Sequence, residues 1–335
     1  MHKYVPIIRW KRGEQVGLHN LTSEIKDQIM PLIEVPFTPT AEKSIRESID
    51  KYWNNRPFYF YLHNDWFEET ENLSELYTKY DEQYNKLDNT NAVMVFDLTN
   101  INYDFVEHYG PNTRLGIRIQ NNEFELVEKI LNQYVSDGIV NPIKTDLILD
   151  LRYVYTDDYY SKATVLKSIL LDLENISDYK SIIISSCSFP NSLINIDTHK
   201  VYNYPRKELD INLLSDSLAK KLSFNYIYSD HGPSDLEEVD FIVGMVPNFK
   251  IRYTTFDQYL YIKGLSIKKG GLDIDQVVSC AKLLANRPDF SGEGYSWGDR
   301  KIHDLANSLS NSSGNLTSWI SYSYNHHITL IVNQL

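Results

Sequence analysis

The sequence predicts an α/β fold in which eight parallel strands close into a (β/α)8, TIM-like barrel, followed by a C-terminal α+β extension. Eight short runs are apolar on both faces, which is typical of parallel strands whose two faces are both buried. Segments with helical period separate these runs. Strand starts recur about every 32 residues, which is the length of one βα unit. An open, doubly wound parallel sheet is the alternative that the same observations leave.

The predicted strands are apolar runs that end at breakers or polar residues. In chain order they are Tyr4–Trp10, Met30–Pro36, Pro57–His63, Ala92–Leu98, Arg114–Ile119, Thr145–Val154, Lys180–Ser186 and Asn225–Asp230. Between them, apolar residues share one helical face from Ile45 to Tyr52, from Phe124 to Tyr134 and from Val165 to Leu173. A strict alternation of strand and helix favours parallel pairing.

The pattern changes after the eighth run. We therefore predict a barrel over residues 1–240 and an extension over residues 241–335 that packs on it; an independent domain is the alternative. Residues 250–267 alternate like a β-hairpin that turns near Thr255–Gln258. Helices are expected over 274–285 and near 301–309, and the terminal HHITLIV has the pattern of a strand.

Composition excludes several classes of protein. Lys and Arg total 33 against 45 Asp and Glu, a net charge of −12, which argues against general nucleic-acid binding. No apolar run reaches the length of about 18 residues that a membrane span needs, and the N-terminus lacks a signal-peptide core. Two cysteines cannot form a disulfide framework, so we expect a cytoplasmic protein that does not enter a membrane.

Every predicted strand ends in a group that can form hydrogen bonds or titrate. Parallel strands of a barrel all point their carboxyl ends at one face, where barrel enzymes place their sites. The predicted ring there comprises Arg9, Lys11, Glu34, His63, Asp97, Arg118, Asp150, Arg152, Asp230 and His231. The alternative is that these residues are solvated strand ends or structural ion pairs.

The ring suggests its own chemistry. Arginines bind carboxylate or phosphate with paired donors, and carboxylates exchange protons or hold Mg²⁺. We therefore expect Glu34, Asp97, Asp150 and Asp230 to be catalytic and the cationic residues to bind an anion. The phosphate-binding loop GxxxxGK[ST], the dinucleotide motif GxGxxG, the zinc motif HExxH and the serine elbow GxSxG are all absent, which excludes those routes to catalysis or nucleotide binding.

The two ends of the chain resemble the beta protein family, named after the beta protein of T-even phages and also found in bacterial genomes. The opening YVPIIRWKRGEQVGL, followed by MPLIEVP, is similar to the N-terminal signature of that family. The tail pairs GEGYSWGDRKI with GNLTSWISYSYNHHITLIV, similar to the Ser-Trp-Gly-Asp and Asn-His-His blocks. Ile320 departs from the pattern, because similar proteins usually have arginine there.

The resemblance implies a role in phage–host conflict, as defence or counter-defence, but it does not imply a particular reaction. It directs attention to Trp297, Asp299 and His326 as further ligand-binding residues. Their structural alternative is that Ser296 or Asp299 caps the helix that follows, with Trp297 as a packing anchor. Adjacent histidines on a strand would point to opposite faces, which argues against a metal site built from His326 and His327.

Two functions remain open from sequence. The first is an enzyme, with hydrolase as the candidate class, that acts on a phosphate-bearing or otherwise anionic small molecule with Mg²⁺ as a candidate cofactor. The second is a non-catalytic binding or sensing protein whose acidic surface recognises a protein partner in a phage-conflict system. A nuclease is disfavoured by the net charge and by the lack of a basic, aromatic stretch.

Overall fold

A computed structural model describes residues 2–37, 45–63, 65–68, 72–87, 91–101, 109, 113–120, 123–125, 127–190, 196–236, 246–267 and 271–335. The chain divides into two compact units. The first comprises Met1–Trp10, Ile29–Cys187 and Lys207–His231, and the second comprises Lys11–Gln28, Ser188–Arg206 and Gly232–Leu335. Residues 11–28 and 188–206 of the second unit thus come from within the segment predicted as barrel. That the extension packs on the barrel stays a prediction.

The first unit is a closed barrel of eight parallel strands, as the sequence predicts. In barrel order the strands are β1 (Tyr4–Arg9), β2 (Leu32–Val35), β3 (Phe58–Leu62), β4 (Ala92–Asp97), β5 (Leu115–Gln120), β6 (Thr145–Tyr153), β7 (Ser181–Cys187) and β9 (Tyr226–Asp230). The barrel closes where Tyr4 pairs with Tyr228 and Val5 with Ser229. The sequence did not reveal β8 (Val201–Pro205), which belongs to the second unit.

Helices separate most of the barrel strands. The first two along the chain, α1 (Arg12–His19) and α2 (Ser23–Lys26), belong to the second unit. Those of the first unit are α3 (Ile45–Tyr52), α4 (Asp65–Glu68), α5 (Leu73–Leu87), α6 (Val127–Ser136), α7 (Tyr159–Asp172) and α8 (Glu208–Leu222). The predicted apolar face of α3 is confirmed, with Ile45, Ile49 and Tyr52 buried. That of α7 is confirmed at Leu166, Ile169 and Leu170, whereas Val165, predicted on the same face, is 37% exposed. These faces cover the sheet that the strands form.

Alternate residues of the barrel strands form an apolar cluster inside the barrel. Its members are Val5, Ile7, Met30, Leu32, Tyr59, Tyr61, Val93, Val95, Ile148, Ile183 and Ile227. Gly116 lies beside this cluster and leaves room for Val95, because a Cβ at position 116 would lie only 2.9 Å from Cγ2 of Val95. Since strand side chains alternate, the residue two positions further along each strand also faces inward.

The second unit has its own sheet and core. Strands β10 (Asn248–Thr254) and β11 (Gln258–Ser266) form the predicted hairpin, and β8 pairs antiparallel with β11. The helices are α9 (Ile274–Ala285), as predicted, α10 (Trp297–Ala306) and α11 (Leu316–Gln334). Residues such as Phe249, Val277 and Trp319 form the core. The prediction that HHITLIV is a strand was wrong, because it lies within α11.

Two glycines let α1 approach α11 closely within this unit. A Cβ at Gly17 would lie 2.9 Å from the carbonyl oxygen of Ser321, and one at Gly13 would lie 2.7 Å from Cγ2 of Ile320. Gly13 and Gly17 are four residues apart, so they lie on one face of the helix. Among the residues that the structure describes, no helix is long and apolar enough to cross a membrane.

Candidate active site

The inward alternation places most of the predicted ring at the carboxyl ends of the barrel strands. Two residues beyond inward Ile7, Leu32, Tyr61, Val95, Gly116 and Ile148 lie Arg9, Glu34, His63, Asp97, Arg118 and Asp150. His231 follows Ile227 by four positions, just after β9 ends. In the parallel register, Arg9 is the partner of Glu34 and Asp97 is the partner of Arg118. The residues of each pair therefore lie at a similar height along the barrel axis. The convergence expected from sequence is therefore present for these seven residues.

Arg118 lies at the centre of this group, with 1% of its surface exposed. Its Nη1 donates to Glu34 Oε1 at 2.6 Å, and its Nη2 donates to Asp150 Oδ2 at 2.6 Å. The guanidinium also lies over the ring of Tyr61, with 4.8 Å between Cζ and the ring centroid. One cation thus joins β2, β3 and β6 across the barrel interior.

Asp150 is the most heavily bonded carboxylate of the group. Besides Arg118, its Oδ1 lies 3.0 Å from Nε2 of His231 and accepts the backbone N–H of Arg152 at 3.0 Å. Burial alone would raise the pKa of Asp150, but His231 and Arg118 outweigh it and hold the pKa well below its usual value. Asp150 therefore stays ionised at neutral pH.

Glu34 is ionised for the same reason. Burial would raise its pKa, yet Arg118, with His231 and His63 further away, lowers it to about 2. The two carboxylates in turn raise the pKa of Arg118 well above its usual value, although burial opposes this. Glu34, Arg118 and Asp150 form a fixed ionic network that exchanges no protons near neutral pH.

Asp97 differs from these two carboxylates. It is half-buried, and its Oδ2 accepts the hydroxyl of Tyr61 at 2.8 Å while its Oδ1 accepts Nε2 of Gln120 at 3.3 Å. Burial raises its pKa and outweighs the opposing effects of Arg118, Tyr61 and Gln120. The pKa of Asp97 is thus shifted in the opposite direction from those of Glu34 and Asp150.

Arg9 and His63 lie at the more accessible edge of the group. The side chain of Arg9 is 18% exposed, with Nε 3.9 Å from Glu34 Oε2. His63 is 19% exposed, and its Nδ1 lies 2.6 Å from Asp65 Oδ1. Both can offer N–H donors to a molecule at the mouth of the barrel.

Three ring residues are placed differently from the sequence prediction. β1 ends at Arg9, so Lys11 lies beyond the strand and precedes α1 in the second unit. The β6–β7 register shifts after Asp150, and Arg152 has φ of 56°, so the inward alternation of β6 ends at Asp150. Asp230 lies on the opposite face of β9 from the inward residues, where its carboxylate accepts the hydroxyls of Tyr4 and Tyr228.

Comparison with known proteins identifies the family. The family model described as Beta protein matches residues 4–333. The chain belongs to the Beta protein family. It is also similar to Protein beta of Enterobacteria phage P4, 24% identical over 347 residues that cover 98% of this chain and 92% of that protein. This relative comes from phage P4, which corrects the T-even source expected from sequence. No solved structure matches the chain.

The tail motifs of this Beta protein family member form a second cluster, inside the second unit. Nδ1 of His326 lies 2.8 Å from Asp299 Oδ2, and Asp299 Oδ1 accepts the hydroxyl of Tyr253 at 2.8 Å. The His326 ring stacks on Tyr253 with 3.9 Å between centroids, and its Nε2 lies 2.6 Å from the carbonyl oxygen of Thr254. Asp299 and His326 have no exposed surface, so the cluster joins β10, α10 and α11 from inside the core.

The capping alternative for the Ser-Trp-Gly-Asp motif is confirmed. Ser296 is the N-cap of α10, and its hydroxyl oxygen accepts the backbone N–H of Asp299 at 3.1 Å. Trp297 packs edge-on against Tyr322, with 5.2 Å between ring centroids. The ligand-binding role predicted for Trp297, Asp299 and His326 stays a prediction, and none of the contacts described for these side chains requires a ligand.

The residues present do not fit the expected Mg²⁺. Arg118 already occupies the position between Glu34 and Asp150 where a bridging cation would lie. Within the described ranges, no group of three or more His, Cys, Asp or Glu side chains is arranged to hold a metal ion.

Three residues near Asp97 were not predicted from the sequence. Tyr61 and Gln120 donate to its carboxylate, and Glu123 accepts the backbone N–H groups of Gln120 and Thr99. Burial also raises the pKa of Glu123. The inward alternation Gly116, Arg118, Gln120 is the signal that could have identified Gln120, whereas Glu123 lies after β5 and left no such signal.

Proposed function

We propose that the mouth of the barrel binds a phosphate-bearing or otherwise anionic small molecule and hydrolyses it. Asp97 is the proton carrier, and Arg9 holds the anionic group. One observation carries the proposal: neighbouring carboxylates at one barrel mouth have pKa values shifted in opposite directions, lowered for Glu34 and Asp150 and raised for Asp97. Such a separation assigns fixed charge to one set and proton transfer to the other.

The proposed chemistry follows from these assignments. Ionised Asp97 accepts a proton from the attacking water, whose oxygen forms the new bond as the leaving group departs with the bonding electrons. The hydroxyl of Tyr61 and the amide of Gln120 hold the carboxylate of Asp97 in position. Burial raises the pKa of Tyr61 well above its usual value, so its hydroxyl remains a donor.

We further propose that this activity serves phage–host conflict. The support is family membership together with the phage origin of the P4 relative. A plaque assay on bacteria that express the protein, with P4-like and unrelated phages, checks this part separately from the chemistry.

The site is tested with Arg9→Ala and Asp97→Asn. Both residues lie at the accessible edge of the network, so we expect thermal midpoints close to that of the unmodified protein. We expect each variant to lose at least about tenfold in hydrolysis of the best substrate among p-nitrophenyl phosphate and nucleoside mono-, di- and triphosphates, measured as released phosphate.

Two surface variants are matched controls. Arg46 and Asp172 lie on the exposed faces of α3 and α7, so Arg46→Ala and Asp172→Asn should leave both the midpoint and the activity unchanged. Loss of stability in step with activity in Arg9→Ala and Asp97→Asn would show that these residues are structural ion-pair members. Full activity in both variants, or a protein that hydrolyses none of the substrates, contradicts the proposal directly.

A further inference from the structure

The second unit contains a cavity of about 170 Å³ that the barrel site does not involve. Strand β10 lines one side with Lys250 and Arg252, and α11 lines the other with Leu316, Trp319 and Ile320. Side chains alternate along β10, so Phe249, Ile251 and Tyr253 are buried in the core while Lys250 and Arg252 lie on the other face of the strand. This alternation explains why Lys250 and Arg252 line the cavity and their buried neighbours do not.

Among the residues that the structure describes, the polar side of the cavity carries more positive charge than the neighbouring carboxylate neutralises. Nη2 of Arg252 donates to Asp235 Oδ2 at 2.8 Å, and its guanidinium lies over the ring of Phe189. The Nε atom of Arg252 is buried and has no hydrogen-bond partner. Across the described part of the chain, Lys250 forms no ion pair, and its charged neighbours are the cations Arg252 and Lys263 and the carboxylate of Asp235.

The electrostatic effect on Lys250 agrees with this count. Burial lowers its pKa, and the charges of Arg252 and Lys263 lower it further, against the opposing effect of Asp235. A positive potential in a partly buried cavity favours a bound anion, since the anion supplies the missing charge and an acceptor for Nε of Arg252.

The opposite wall selects the rest of the ligand. Leu316, Trp319 and Ile320 present apolar surface, and the hydroxyl of Ser323 is already engaged with the carbonyl oxygen of Arg252 at 2.6 Å. This wall therefore offers burial to a hydrocarbon or aromatic group and few hydrogen bonds.

We propose that this cavity binds a small amphiphilic anion, with its carboxylate or phosphate group between Lys250 and Arg252 and its apolar body against α11. The volume suits a molecule of about ten heavy atoms, smaller than a drug-sized ligand. The site is independent of the barrel mouth and of the reaction proposed there.

The test is isothermal titration of the full chain with octanoate, octyl phosphate, octanol and inorganic phosphate. We expect octanoate or octyl phosphate to bind, and octanol and inorganic phosphate to bind at least about tenfold more weakly, because each lacks one half of the recognised chemistry. The comparison of octanoate with octyl phosphate identifies the preferred anionic group. Binding of neither one, or equal binding of octanol, overturns the proposal.

Lys250→Gln locates the bound molecule. Lys250 has no ion pair to lose among the described residues, so the variant should keep the unfolding midpoint of the unmodified protein while its affinity for the preferred anion falls at least about tenfold. The matched control is Lys282→Gln, at an exposed lysine of α9 in the same unit, which should bind as the unmodified protein does. Equal affinity of the two variants would place the anion elsewhere and overturn the assignment.

Discussion

At the scale of single residues, Arg118 determines whether two other buried charges can exist. Without its guanidinium, Glu34 and Asp150 would both remain buried, with Arg9 beside Glu34 and with His231 and the backbone N–H of Arg152 beside Asp150. We predict that Arg118→Met costs about 3 to 5 kcal/mol of unfolding free energy, measured by urea titration at pH 7. Arg46→Met, which breaks an exposed pair with Asp50, should cost less than about 1 kcal/mol. Equal effects of the two variants would contradict the central role of Arg118.

Glu34 makes stability depend on pH in a definite direction. Its folded-state pKa of about 2 lies below its ordinary value of 4.5, so the ionised form stabilises the folded protein. That contribution is complete above about pH 4.5 and is lost as pH falls towards 2, and it amounts to about 3 kcal/mol at most. We predict that Glu34→Gln flattens the stability profile between pH 5 and pH 3 relative to that of the unmodified protein. An unaltered slope in Glu34→Gln would contradict the assignment.

At the scale of elements, contact between helices depends on positions that tolerate no side chain. A Cβ at Gly298, in the first turn of α10, would be closer to the carbonyl oxygen of Tyr322 on α11 than Cβ atoms normally come. We predict that Gly298→Ala lowers the unfolding free energy by about 1 to 3 kcal/mol, because neither backbone can move without disturbing the core. Gly294→Ala is the control, since a Cβ there meets open space. Calorimetric midpoints that fall equally in both variants would contradict this explanation.

Hydrophobic periodicity was sufficient to predict strands and helices that are buried on one side or bounded by polar residues. It failed for helices that are buried on several faces, because apolar residues then occur on more than one face of the helix. The barrel strands and α9 were found because each has apolar positions with polar boundaries. The end of α11 was misread, since Ile328, Ile331 and Val332 favour strands and the helix is buried on several faces. The short β8 has no continuous apolar run, and its pairing with β11 is fixed only by the tertiary structure.

The candidate site shows the same division between local and distant information. The polar residue at the end of each apolar run was sufficient to find Glu34, Asp97, Arg118 and Asp150. It could not show that Arg118 bridges β2 and β6, because that contact joins residues far apart in sequence. It also could not anticipate the irregularity at Arg152, where the β6–β7 register shifts.

At the scale of the whole molecule, the second unit is assembled from three separate parts of the chain. These parts follow β1, β7 and β9 in sequence. Its sheet needs β8, which pairs with β11 from Val201 to Pro205, and its longest helix packs against α1 through Gly13 and Gly17. Residues 241–335 therefore contain the core of this unit without two of the elements that complete it.

We predict that residues 241–335, expressed alone, do not unfold cooperatively. Without β8, strand β11 has an unpaired edge, and without α1 the apolar surface of α11 around Ile320 is exposed. The measurement is urea unfolding followed by far-ultraviolet circular dichroism, with the full chain as the reference for a cooperative transition. A sharp transition in the 241–335 fragment would show that the C-terminal segment is an independent domain, because its own contacts would then suffice to offset the loss of chain entropy.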